Sequence, residues 1–192
     1  MPWEKQFDEH AVLNRALDAF WAKGYEATSM QDLVDCTGVN RGSLYATFGD
    51  KRSLFLAALK IYDDARRRML SEFEARYKTR DAIRHVFQSF ISDVNEACGN
   101  KGCFLTNTAL ELAAHDKEVR TIVAAAQEDV EAYFARIIRK GKADGEISED
   151  VKVAETARGL LASLLGILVL IRSRPERVLL RTIVDDAMKR LD

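Results

Sequence analysis

The sequence predicts an all-α fold of about nine helices, with a three-helix N-terminal unit ahead of a larger helical C-terminal domain. Three observations carry that expectation. Apolar positions recur at helical spacing almost from end to end. Two prolines and ten glycines in 192 residues leave little material for a turn-rich β fold. A chain that is 47% hydrophobic and 31% charged has both a core and a solvated face to build. With 29 Lys and Arg against 30 Asp and Glu, the net charge is −1, which excludes a disordered tail or a uniformly polycationic coat.

The first helix places Leu13, Ala16, Leu17, Phe20 and Trp21 on one stripe and ends at Lys23-Gly24, a basic last turn before a glycine cap. Ser29 and Asp32 have cap-and-return spacing, so a short second helix runs from there to about Asp35. Gly38 breaks the chain, and a third short helix covers about Arg41–Thr47. Asp50 caps a longer fourth helix containing Leu54, Phe55, Ala58, Leu59 and Tyr62. From Thr79 the stripe Ile83, Val86, Phe87, Phe90, Ile91 and Val94 continues to about Cys98. Further helices are expected over Cys103–Ala114, then to about Gly141–Gly145 with Asp116 as cap, then Val151–Ser173 and Pro175–Leu191, with Pro175 in a first turn. The predicted domains are 1–62 and 63–192.

Ser29–Asp35 and Arg41–Thr47, separated by a Gly-containing turn, form a helix-turn-helix candidate. The second of these helices carries polar Arg41, Ser43, Tyr45 and Thr47, and Gly42 allows close backbone approach. Lys51 opens the next helix, where its charge and the helix N-terminus both attract phosphate. Residues 36–52 hold Arg41, Lys51 and Arg52 against Asp50, a local excess of positive charge.

The stretch Phe20–Met30, together with Gly38-Val39-Asn40-Arg41-Gly42-Ser43-Leu44-Tyr45-Ala46-Thr47-Phe48-Gly49-Asp50-Lys51, resembles the TetR family of one-component transcriptional regulators over residues 7 to about 60. The resemblance implies a homodimer that binds double-stranded operator DNA, usually as a repressor, and releases it when a small molecule binds the C-terminal domain. It implies phosphate contacts at Thr28, Tyr45 and Lys51, and base reading by Arg41, Gly42 and Ser43, with Arg41 matched to a guanine edge. Ser29 and Thr47 complete the candidate DNA-binding set. The chain departs from the family pattern at Ala46 and Thr47. Two plainer roles stay open: Tyr45 packing on Phe48, and Arg41 as a solvated charge.

For an effector, inward phase and polarity select Phe87, Phe90, Cys103, Phe104, Asn107, Thr108, Glu111 and Tyr133, a lining suited to an apolar or aromatic molecule; ordinary core is the alternative for each. Cys103, expected to open a helix beside Lys101, carries a second hypothesis: a thiol sensing oxidants or electrophiles, with Cys98 as resolving partner. Packing is the alternative there too. The run Gly159–Ile171 is apolar almost all round, so 151–173 and 175–191 are expected to pair with a second copy. Its thirteen residues fall short of the roughly 20 a membrane span needs.

No catalytic constellation, phosphate loop or metal-ligand spacing appears, so neither an enzyme nor a cofactor is expected. Three cysteines and three scattered histidines propose no disulfide framework and no metal site. Met1–Gln6 has no apolar leader core, and a reducing cytoplasm is the expected compartment.

Overall fold

The computed structural model describes residues 7–97 and 99–192. Nine helices and no strand are found among them: α1 (Glu9–Lys23), α2 (Met30–Thr37), α3 (Arg41–Phe48), α4 (Lys51–Arg76), α5 (Thr79–Ile91), α6 (Phe104–Leu112), α7 (Lys117–Ala143), α8 (Val153–Ser173) and α9 (Arg177–Lys189). The chain separates into two compact units, one ending at Ala65 and the other spanning Arg66–Asp192, so the division falls within α4.

In the first unit every helix start is sealed by a side chain next to it. Asp8 accepts the His10 N–H (2.9 Å), Asn40 the Ser43 N–H (2.9 Å) and Asp50 the Ser53 N–H (2.6 Å). At α2, Ser29 Oγ accepts the Asp32 N–H (3.0 Å) while Asp32 Oδ2 accepts the Ser29 N–H (2.8 Å), a reciprocal capping box. The core is Phe20 set edge-on to Phe55 (5.2 Å between centroids), with fully buried Leu33, Leu44, Leu54 and Leu59 around them. Burying side chains of this size is worth about 1.5–3 kcal/mol each.

In the second unit α7 is central, with α5, α6 and α8 packed on it and α9 lying against α5 and α8. Phe87 stacks on Phe134 at 6.2 Å. Gly141 is no terminator: it sits inside α7, where a Cβ would come within 2.5 Å of Thr79 Cγ2 at the start of α5. The α8 helix, 21 residues with a mean hydropathy of 1.7 over its most apolar window, has the length and composition of a membrane span. It is a core helix here, burying Leu160, Leu164, Ile167, Leu168 and Ile171.

The structure corrects four sequence expectations. The α5 helix stops at Ile91 instead of running to Cys98, because Ser92 turns its hydroxyl back to Gln88 O (2.7 Å) and the Asn95 and Asn100 side chains take over the following backbone groups. Pro175 is not in the first turn of α9. The Glu176 N–H donates to Arg174 O across it (2.8 Å), and α9 begins at Arg177, whose N–H is received by Glu96 Oε1 (2.9 Å). Cys103 precedes α6 in an extended conformation instead of opening it. Cys36, expected to be a buried turn residue, is exposed on α2, close to Leu33 O and Arg15 O.

Candidate nucleic-acid interface

Two glycines and two caps define the helix-turn-helix. Gly38 ends α2 in the left-handed region (φ 71°), which favours glycine, and its N–H returns to Val34 O (2.9 Å). From there Val39 is buried, Asn40 caps α3, and Leu44 anchors α3 inward at 1% exposure. Arg15, on α1, donates from Nη1 to Thr37 O (2.9 Å) and so closes the C-terminal end of α2.

With Leu44 inward, the opposite face of α3 is turned to solvent. Arg41 and Gly42 are exposed, Tyr45 is 44% exposed, and Ser43 and Thr47 are half-buried. The Arg41 side chain has no hydrogen bond or ion pair with any described residue. A guanidinium on the first turn of a capped helix, with five donors uncommitted, has the chemistry that reads a guanine edge or a phosphate. Gly42 has helical backbone, and a Cβ there would only touch Asn40 Oδ1 at 3.4 Å, so nothing within the chain demands glycine.

At the other end of the motif, Lys51 Nζ stands 4.4 Å from the centroid of the Tyr25 ring, which itself packs on Phe55 at 4.8 Å. The aromatic face holds the ammonium at the start of α4. The Ser53 N–H holds the Asp50 carboxyl below its usual range, so the cap beside Lys51 stays ionised. On α2, Lys23 (2.5 Å) and the Ser29 groups press the Asp32 carboxyl far below its usual range, which ties the end of α1 to the start of α2.

Thr28 is placed differently from expectation. It is fully buried, and its hydroxyl donates to Gly24 O (2.5 Å). Its side chain therefore closes the α1–α2 turn and has no surface to offer a phosphate; the exposed group at that position is Ser29. Sequence reasoning overlooked Asn40, Arg15 and Tyr25 as organisers. Asn40 was visible as a capping residue just ahead of a polar helix, whereas Arg15 reaches a carbonyl 22 positions away and left no local mark.

The second unit has a part-open cavity of about 40 Å³ between residues of α4, α5, α6, α7 and α8. Of the eight candidate effector residues, Phe90 and Cys103 line it. Phe87, Phe104, Thr108 and Tyr133 are buried outside its lining, and Asn107 and Glu111 are half-buried, with Asn107 Nδ2 donating to Lys101 O (2.8 Å). Tyr133 lies beneath Arg136, which is paired through two nitrogens to Glu74 (2.8 and 3.1 Å). Burial, with the Glu74 charge behind it, pushes the Tyr133 phenol well above its usual range. Cys103 is 4% exposed, without the access that a reactive thiol needs, and the thiol-sensor expectation is not favoured. Cys98 lies outside the described residues.

Comparison with known proteins matches residues 12–58 to the family described as bacterial regulatory proteins, tetR family, and residues 79–184 to the tetracyclin repressor-like C-terminal domain. The chain belongs to the TetR family. It is 34% identical over 190 residues to the uncharacterized HTH-type transcriptional regulator YezE of Bacillus subtilis (strain 168), covering 98% of both chains. To the HTH-type transcriptional repressor ComR of Escherichia coli (strain K12) it is 30% identical, over 81% of this chain and 75% of ComR. A solved TetR family regulator, a cysteine-substituted CifR in complex with 26-bp double-strand operator DNA, superposes with a TM-score of 0.85 at 26% identity, over 98% of this chain and 99% of that one. This TetR family member is accordingly a DNA-binding transcriptional regulator, and its helix-turn-helix is the DNA-binding element.

Proposed function

We propose that the protein is a homodimeric repressor whose operator grip is released by a small molecule held in the second unit. The observation that carries the DNA-reading part is the outer face of α3, where Arg41 is exposed and uncommitted beside Gly42, Ser43, Tyr45 and Thr47. Arg41 reads a base edge, Tyr45 and Lys51 hold phosphates, and Ser29 offers its surface at the start of α2. The operator complex of CifR and the repressor role in the name of ComR support this reading by likeness.

Dimerisation is assigned to 151–173 and 175–191. Along α8, Gly159, Ala162, Gly166 and Val169 form an unburied stripe of small or apolar residues, and Val169 is 41% exposed within one protomer. A C2 pairing of such stripes buries them in a helical bundle. The effector site is assigned to the cavity behind Phe90 and Cys103. Acting on operator DNA places the protein in the cytoplasm.

The test is binding of the full-length protein to its own upstream DNA across a salt series. Specific binding should fall steeply with salt. Arg41→Ala should cost about 1–3 kcal/mol and relax discrimination at one base step, whereas Tyr45→Ala should weaken all sequences alike. Binding no tighter than to random DNA, or unchanged by both substitutions, would refute the assignment.

A further inference from the structure

We propose that the groove between α5 and α9 is a second small-molecule site, one that takes a phosphate monoester carried on a small apolar body. The groove is open to solvent and holds about 490 Å³, the size of a ligand site. It shares no lining residue with the cavity assigned to the effector, so the proposal stands apart from that assignment. Its two walls run antiparallel. Arg84 Nη1 meets Asp185 Oδ1 at one end (3.1 Å), and Arg177 Nη2 donates to Val94 O at the other (2.8 Å). Arg181 stands between them, one turn from Arg177, and this register sets it opposite Gln88.

Three guanidinium groups line the groove against one carboxylate, Asp185, which is already committed to Arg84. The Arg181 side chain has no hydrogen bond or ion pair with any described residue. Arg177 gives one nitrogen to a neutral carbonyl, while Glu96 at that end receives its backbone N–H (2.9 Å). Like charges one turn apart on a helix repel, and a dianion between Arg177 and Arg181 removes that repulsion. It also takes charge-assisted hydrogen bonds from both planar forks. A phosphate monoester brings about −1.5 to −2 of charge and three acceptor oxygens at neutral pH, where a sulfate ester or a carboxylate brings a single charge. Gln88 adds a neutral donor from α5, and half-buried Ile91 with buried Val184 give an apolar floor for the rest of the molecule. The groove also survives the proposed pairing of protomers. Leu179, Ile183 and Arg190 lie on the other flank of α9, and Arg190 Nη1 is the group that a Cβ on Gly159 of the α8 stripe would meet, at 3.2 Å.

The experiment is ligand-detected NMR on the full-length protein without DNA, at fixed ionic strength, with phenyl phosphate and phenyl sulfate as probes. The two share a shape and differ by about one charge. Phenyl phosphate should bind at millimolar concentration or below, and several-fold more tightly than phenyl sulfate. Arg181→Gln, at an exposed position with no partner to lose, should weaken phenyl phosphate by about ten-fold or more and leave the thermal melt intact. Asp185→Asn, which removes the lining carboxylate, should strengthen phenyl phosphate binding. Arg41→Ala should leave it unchanged, which separates the groove from the outer face of α3. Absence of phenyl phosphate binding at millimolar concentration, equal affinity for the two probes, or binding that survives Arg181→Gln would each overturn the proposal. Binding lost in Arg41→Ala alone would overturn it as well. Hexaglutamate held through Arg181, when phenyl phosphate is not, would overturn it in favour of an acidic protein partner.

Discussion

Gly141 and Thr79 meet so closely that a single added methyl group on α7 would come within 2.5 Å of one atom of Thr79 and 2.9 Å of another. The contact holds the last turns of α7 against the first turn of α5, where Glu146 Oε2 also receives the Thr79 N–H (3.0 Å). Gly141→Ala gains about 1 kcal/mol of helix propensity. Overpacking against Thr79, whose backbone is anchored, costs about 1–3 kcal/mol and outweighs that gain. Chemical denaturation should show a net loss of up to about 2 kcal/mol, the reverse of the usual helix Gly→Ala outcome.

Asn40 links stability to the proposed DNA reading, because its side chain seals the helix that carries Arg41. Asn40→Ala should cost about 1 kcal/mol in urea denaturation and weaken operator binding as well. Asn40→Ser should restore both. Asn40→Asp should restore stability alone, since its charge faces the phosphates; thermal melts and gel-shift titrations on the same three variants check this.

The Asp32 carboxyl, lowered by Lys23 and by the Ser29 groups, makes the α1–α2 junction acid-sensitive. A carboxyl whose folded pKa lies below its unfolded value contributes stability that is complete above the unfolded value, about 3.9, and is lost as the pH falls toward the folded one. Wild type should therefore exceed Asp32→Asn in stability at pH 7, and the gap between their urea midpoints should narrow steadily below pH 4. A gap that is constant from pH 7 to pH 3 would contradict the assignment.

Gly166 tests the pairing of protomers. A Cβ there meets nothing within 4 Å inside one protomer, so Gly166→Arg leaves the protomer's packing untouched. In the proposed interface the same side chain collides with the second copy. Sedimentation should give wild type at twice the 21.6 kDa chain mass and the variant at the single-chain mass, still helical by circular dichroism.

Much of this fold was legible wherever a helix announces itself. Ser29 with Asp32, Asp50, and Asp116 accepting the Val119 N–H at 3.0 Å all seal ends within three residues, and the three helix starts they mark were found from sequence. The start of α9 was misplaced because its acceptor, Glu96, lies 81 positions before Arg177. On the DNA side the polar face of α3 was readable, but the burial of Thr28 was not, since its acceptor is a backbone carbonyl, Gly24 O. The pairing of Arg66 with Asp129 left no local mark either, since the two are 63 positions apart.

That contrast in how helix ends are sealed bears on the order in which the molecule is made. The caps of α1 to α4 are complete within a few residues of synthesis, so the N-terminal head needs no later segment to begin its helices. The start of α5 receives Glu146 only after 67 further residues, and Glu96 must wait 81 residues for the α9 amide it will receive. Local closure forms quickly and distant closure slowly. On the ribosome, where domains emerge N-terminus first, the DNA-binding unit is shaped while the second unit is still being translated.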